Sequence, residues 1–334
     1  MKNTLSENLK VFKRHLNSFR ILIEVKKLIR IDNRRFLKYS FITGNIKKCD
    51  HVQLEAQILK TQHSLEKGLA LKNTRLGFGL KHINLLESLL LEYIRRGKPQ
   101  DSDVVKISID TIKQYLDFHK KEGQEPEISS TFFELQSAIE LNEKHGGYQV
   151  ISKDEVLSLK SEKFDLFVKS RHSIRDFDDT EVNLKYINEA IDIALNTPSV
   201  CNRQSWNVRV VSGSYIDYIN ANQNGNRGFG DKINKYVIVT SDIKSFSKPR
   251  ERNQAFIDGG LFAMNLLLSL HHKGLATVPM SASLSIQQER NIRRKFELSD
   301  SEVLIMFIAL GNYPNEFKVA FSKKKNLKPK IFND

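Results

Sequence analysis

Apolar residues recur at helical spacing through the first third of the chain. Over residues 9–41, Phe12, Leu16, Phe19 and Ile23 fall on one face among many Lys and Arg, which predicts a basic amphipathic helix or helix pair. Two readings of this segment stand. The preferred one is a helix packed on its own protein with a solvated basic face; the other places it on an anionic membrane surface or in a partner's groove. Further helices are predicted over residues 52–67 and 80–96, separated by the short stretch 68–79 and stopped by Arg95-Arg96-Gly97-Lys98-Pro99. Residues 104–121 and 131–144 are periodic in the same way, punctuated by Gly123-Gln124-Glu125-Pro126 and by Gly146-Gly147. No strand is predicted before about residue 150.

The pattern then changes. Residues 207–212, 236–241 and 303–310 are apolar, β-rich runs bounded by turn residues or charges, and they read as buried strands. Helical patterns lie between them at 184–196, 255–272 and 286–296, so the second half is a sheet covered by helices. The boundary falls near 150–165: an all-helical region over 1–155, then an α+β domain over 156–334. A chain of 334 residues suits two such units.

Composition narrows the function classes. With 40% hydrophobic residues and 7 prolines the chain can bury a core and is not of disordered type. Its two cysteines, Cys49 and Cys201, have no CxxC partner or nearby ligating histidines, so neither a disulfide framework nor a metal site is expected. His63 and Glu66 stand at i, i+3, a spacing read as a helix-surface hydrogen bond in preference to metal ligation. No secretory signal is recognised and the longest apolar run, about 261–270, is half of what a membrane span needs, so a cytoplasmic location is expected. The net charge of +14 favours acidic partners. No nucleic-acid motif accompanies it, and no nucleic-acid partner is expected.

Residues 170–177, Ser-Arg-His-Ser-Ile-Arg-Asp-Phe, carry the most chemistry. They place Arg171, Ser173 and Arg175 at alternate positions, on one side of an extended backbone. Two guanidiniums and a hydroxyl converging there suit a phosphate monoester, because arginine offers planar, bidentate, permanently charged donors. Taken alone, two arginines in a short segment more often mark a solvated edge. About ten residues on, a helix ends and Thr197-Pro198-Ser199-Val200-Cys201-Asn202-Arg203-Gln204-Ser205-Trp206, dense in amide and hydroxyl groups, leads into a strand.

This order, RxSxR, a helix, then PSxxNxQxW before a strand, resembles the opening of the nitroreductase family of FMN proteins. The resemblance continues through Ile257-Asp258-Gly259-Gly260, Lys273-Gly274-Leu275-Ala276, a Pro279-containing loop, and Phe307 to Pro314, covering roughly residues 165–330. It implies a nitroreductase-like mixed sheet flanked by helices and a homodimer with FMN at the subunit interface. NADH or NADPH would be the electron donor and a small molecule the acceptor. Arg171, Ser173 and Arg175, with His172 among them, would bind the FMN phosphate. Pro198, Ser199, Asn202 and Gln204 would line the ribityl chain and the polar edge of the ring, and Pro279, Met280 and Ser281 would lie against the flavin. A basic residue of the C-terminal segment would return to the phosphate. Here Lys323-Lys324-Lys325 stands where arginine is usual, and Lys324 is the candidate. No side chain is expected to be catalytic, since the cofactor carries the chemistry. Ser205 replaces the family's usual proline. Cys201 reads as a small buried hydrophobe, and the Asn/Gly-rich stretch 220–231 as a mobile lid with Phe229 over the pocket.

Overall fold

The computed structural model describes residues 2–42, 44–123, 132–133, 137, 139, 143–158, 161, 163–320, 322 and 327–332. Helix α1 runs unbroken over Lys2–Tyr39, one helix in place of the possible pair. Helix α2, His51–Leu69, starts at Asp50, whose carboxylate accepts from the Gln53 N–H while the Gln53 side chain accepts from the Asp50 N–H. That reciprocal cap satisfies two donors the helix cannot pair internally. Helices α3, Leu80–Arg95, and α4, Asp103–Lys121, complete the group. Leu54, Ile58 and Leu65 of α2, Ile83, Leu86 and Leu90 of α3, and Val105, Ile109 and Ile112 of α4 share one buried cluster, as their three- and four-residue spacings require. Gly68 permits the elbow between α2 and α3: a Cβ there would lie 2.0 Å from the Phe78 ring. The helix expected over 131–144 lies largely outside the described residues.

Short helices α5, Lys153–Ser158, and α6, Phe164–Ser170, lead into the second half. There follow α7 (Leu184–Ala194), β1 (Trp206–Val211), α8 (Tyr215–Asn222), β2 (Lys235–Asp242), α9 (Gln254–His272), β3 (Leu275–Ser281), α10 (Ile286–Lys295) and β4 (Glu302–Asn312). The strands form one sheet in the order β1-β2-β4-β3. The architecture is α+β. The sheet, expected to be mixed, has only antiparallel pairs among the described strands.

Strand β2 is buried along its whole length, because both faces of the sheet are covered. Val237 and Val239 join Phe262 and Leu266 of α9 and Ile187 of α7 on one side, while Tyr236 and Ile238 join Ile219 of α8 and Ile292 of α10 on the other. This is the two-residue alternation of a strand with two buried faces. Helix α9 approaches closely because residue 259 has no side chain: a Cβ on Gly259 would meet Ile305 Cδ1 at 2.6 Å.

Candidate active site

The two sequence motifs lie toward opposite ends of α9. At its C-terminal end, Ser170 Oγ is 2.8 Å from His271 Nε2, and His271 Nδ1 is 2.9 Å from the Tyr313 hydroxyl. Ser170 also donates to the Phe167 carbonyl, so Nε2–H donates to Ser170 and Nδ1 accepts from Tyr313. Burial, followed by the nearby Arg171 charge, holds the His271 imidazole below its usual range. From this anchor the 171–175 segment runs onto β3, where the Ile174 N–H donates to the Thr277 carbonyl at 2.9 Å. Ile174 is turned into the core. In extended backbone that turns Ser173 and Arg175 the other way.

The polar side chains of this segment are uncommitted. Arg171 donates only to the carbonyl of His172, at 3.0 Å, and Ser173 and Arg175 make no side-chain hydrogen bond or ion pair among the described residues. Arg171, His172 and Ser173 are half-buried and Arg175 is exposed. Close packing holds the strip in place, since Phe177 lies on Gly311, where a Cβ would come within 2.7 Å of Phe177 Cβ.

The other motif sits near the N-terminal end of α9. There the Asp258 carboxylate accepts from the Val200 N–H at 3.2 Å and from Gln254 Nε2 at 2.8 Å. Burial raises the Asp258 carboxyl above its ordinary range despite these bonds. The loop is tightly wound: Cys201, Asn202 and Gln204 have φ of 51°, 51° and 47°. Left-handed backbone at three non-glycine residues among four persists only where surroundings over-determine it. Arg203 supplies much of that determination. Its side chain is fully buried and donates to the carbonyls of Val200 and Ser245 and to both oxygens of Glu251, while lying over the Phe246 ring. Ser205, in place of the family's proline, bonds to the Ser241 hydroxyl at 2.8 Å. The strain leaves Pro198 and Gln204 exposed and Ser199 and Asn202 half-buried, with Ser199 Oγ accepting from the Gln204 N–H. Cys201 is half-buried, not a core residue.

Three further expectations change. The 277–281 segment, expected as a loop, is most of strand β3: Pro279 pairs with Ile308, Met280 is buried in the core, and Ser281 is exposed with its carbonyl accepting from Gln223. It adjoins Arg171 to Arg175 through Thr277 and is not beside the 198–204 loop. Phe229 is a core residue, 4% exposed, so it cannot roof a pocket from a lid. The 220–231 stretch is laced by Asn226 and Gly230 bonds to Asn220, whose side chain also accepts from the Tyr236 hydroxyl. Lys324 lies outside the described residues. His63 Nδ1 stands 3.0 Å from Glu66 Oε2, the pairing expected of them, and Glu66 also accepts from the Gly147 N–H.

Sequence reasoning missed Arg203 and His271. Arg203 carried a signal, an arginine inside a loop otherwise made of small polar residues. His271 had none, because its partners are 101 and 42 residues away.

A helix-covered antiparallel sheet carrying a strip of uncommitted arginine and serine side chains and a polar, strained loop defines the architecture as α+β. Residues 168–223 and 216–312 match the model of the nitroreductase family, and the second half of this chain is a nitroreductase-family domain. The 4-nitrobenzoate reductase of Pseudomonas putida is 23% identical over 208 residues, an alignment covering 46% of this chain and 87% of that protein. YodC of Bacillus subtilis, whose name couples nitroreductase to NAD(P)H, is 22% identical over 179 residues, covering 43% of this chain and 86% of its own. The structure of an FMN-dependent nitroreductase from Clostridium difficile covers 50% of this chain and 98% of that one at 21% identity, with a TM-score of 0.42. The family match begins after the helical region.

Proposed function

We propose that the chain is an FMN-dependent oxidoreductase that takes hydride from NADH or NADPH and delivers it to a small, flat, electron-poor acceptor such as a nitroaromatic, a quinone or an enone-like carbonyl. The observation that carries this reading is the set Arg171, Ser173 and Arg175: three donors on a rigidly seated strip, with no carboxylate engaging them among the described residues. A phosphate monoester fits that donor set, with the guanidiniums binding bidentately and the Ser173 hydroxyl donating a further bond. His172 lies in the same strip, and Lys324 would add a cation from the C-terminal segment. The amides of Asn202 and Gln204 offer donors and acceptors to the polar edge of a flavin ring, with Pro198 and Ser199 beside them. Pro279, Met280 and Ser281 would contribute backbone from the edge strand.

The bound flavin supplies reversible hydride acceptance, which depends on stacking and distance more than on a proton shuttle. No side chain is assigned a catalytic role. Substrate preference in this reading follows the named reductases, whose descriptions specify 4-nitrobenzoate in one case and NAD(P)H in another.

The working unit is a homodimer. Asp258 and His271, which anchor the two motifs, are 13 positions apart on α9, about 20 Å along its axis. On the same helix Ile257, Leu261 and Met264 form an apolar stripe, each near half exposed. Pairing two copies through this stripe brings the loop of one toward the strip of the other and covers the apolar surface. Residues 1–155 and 156–334 are taken as separate units, consistent with a hydrophobic cluster built wholly from the helical region.

The test is the visible spectrum of the purified chain after FMN supplementation, followed by anaerobic titration with NADH and with NADPH. Flavin bands that bleach with one nucleotide support the reading. Protein that takes up no FMN overturns it and leaves a scaffold built on the same fold. The double variant Arg171→Ala/Arg175→Ala is expected to lose FMN while keeping its far-ultraviolet circular dichroism.

A further inference from the structure

Helix α1 is about 57 Å long, and its described hydrogen bonds and ion pairs to the body come from its last turns. Every hydrogen bond or ion pair described between α1 and the rest of the chain leaves from Arg35 or beyond: Arg35 to Glu289, the Tyr39 hydroxyl to Asp300, and Gln53 to the Tyr39 carbonyl. Phe36 and Tyr39 pack on the small cluster around Phe246. From Asn17 to Arg34 no described side chain makes a hydrogen bond or ion pair with the chain outside α1. Phe19, Leu22, Ile23, Ile29 and Leu37 are between 50% and 73% exposed. With Lys26 and Arg30 they recur at three- and four-residue steps, on the side of the helix away from Ile31, Arg35 and Tyr39.

Charge selects what covers this face. Eleven Lys and Arg and three Asp and Glu lie within Lys2–Tyr39, so this helix holds +8 of the chain's +14. A second copy of α1 laid alongside would bring two strongly cationic helices together with few acidic residues to pair across the seam. An anionic surface has the opposite sign, and an exposed helix mixing large apolar side chains with Lys and Arg suits the boundary between lipid headgroups and acyl chains. At the root of the helix, a cavity of about 360 Å³ between α1 and α10 adds to the same field. Glu289 is engaged by Arg35 and Arg293, whereas Arg34 and Arg290, which also line it, make no hydrogen bond or ion pair among the described residues.

We propose that α1 is a peripheral anchor that lays Phe19, Leu22, Ile23 and Ile29 into an anionic phospholipid surface, with Lys26, Arg30 and Arg34 meeting the headgroup phosphates. No described helix is long and apolar enough to cross a membrane, so the attachment is lateral and reversible. An acceptor that partitions into lipid, such as a quinone, would then be reached at the surface where it resides. The anchoring itself does not depend on flavin chemistry.

The full chain is mixed with vesicles of phosphatidylcholine alone or of equimolar phosphatidylglycerol and phosphatidylcholine, and bound protein is measured by flotation at low and high salt. Binding at least about tenfold stronger to the anionic vesicles, weakening as salt rises, is expected. Phe19→Ser/Ile23→Ser and Lys26→Glu/Arg30→Glu should each lower it by about tenfold or more while leaving FMN content and circular dichroism unchanged. Equal binding to both vesicle types, no binding to either, or variants that bind as the parent does would overturn the proposal. So would light scattering in which Phe19→Ser/Ile23→Ser converts a larger assembly into a smaller one, since the occupant of the face would then be a second copy.

Discussion

Arg203 has a fully buried guanidinium in a loop whose other polar side chains, Ser199, Asn202 and Gln204, are half-buried or exposed. Glu251 answers it. Burial alone would push that carboxyl upward, but the Arg203 hydrogen bonds and charge, with the N–H groups of Ser247 and Lys248, bring it down from 4.5 to about 2. A carboxylate depressed in the folded state contributes stability that is complete above the unfolded value and is lost as pH falls through the folded one. The contribution of Glu251 therefore declines between pH 4.5 and about 2. Glu251→Gln is expected to flatten that part of the acid limb in urea midpoints measured against pH. Arg203→Ala leaves a half-buried carboxylate unpaired and releases the left-handed turns at Cys201, Asn202 and Gln204. It should destabilise the chain by about 3 kcal/mol in urea titration and weaken FMN retention with it.

Among elements, the 171–175 strip depends on three supports: the Ile174 bond to β3, the Phe177 contact with Gly311 of β4, and the Tyr313–His271–Ser170 hydrogen-bond chain at the end of α9. Gly311→Ala would drive a methyl group into Phe177, a clash costing about 1–3 kcal/mol. Because the strip would have to move, FMN affinity is expected to fall by more than stability alone accounts for, which a flavin fluorescence titration of the folded variant would detect. His271 adds a pH dependence. Its imidazole is held below 6.5 in the folded protein, so the unfolded chain takes up this proton first as pH falls. The contribution of the neutral chain is complete above 6.5 and declines as pH drops through that value toward the lower folded one. Thermal midpoints on either side of it should fall toward acid in the parent and change less in His271→Phe.

For the whole molecule, the proposed dimer, with the two motifs toward opposite ends of α9, would couple assembly to cofactor binding. Leu261→Lys/Met264→Lys places charges on the apolar stripe without touching the 171–175 strip or the 198–204 loop. The variant is expected to sediment as a monomer and to emerge without flavin, both measured on the same sample by analytical ultracentrifugation with absorbance detection. A monomer that keeps its flavin would show that one chain suffices.

What the sequence by itself determined was local. Three- and four-residue spacing located α2, α3, α4, α7, α9 and α10 to within a few residues, and apolar β-branched runs located β1, β2 and β4, because these periodicities belong to neighbours in the chain. The order of the RxSxR and PSxxNxQxW motifs likewise pointed to the family. Tertiary structure decided the rest. The resemblance made 277–281 read as a loop, but Pro279, which lacks an N–H, sits in β3 at the edge of the sheet, where such a residue is tolerated. Phe229, set among glycines, looked exposed until strands far from it in sequence closed over it. Among the described residues the basic N-terminal helix packs on its own body in its last turns, while Phe19 to Ile29 present exposed apolar side chains, since which face is covered depends on where α10 lies. Arg203 found its partner 48 residues away, and the two motifs came to rest at opposite ends of a helix that neither belongs to. Periodicity reports which side of an element is apolar; only contacts between distant parts of the chain decide what that side meets.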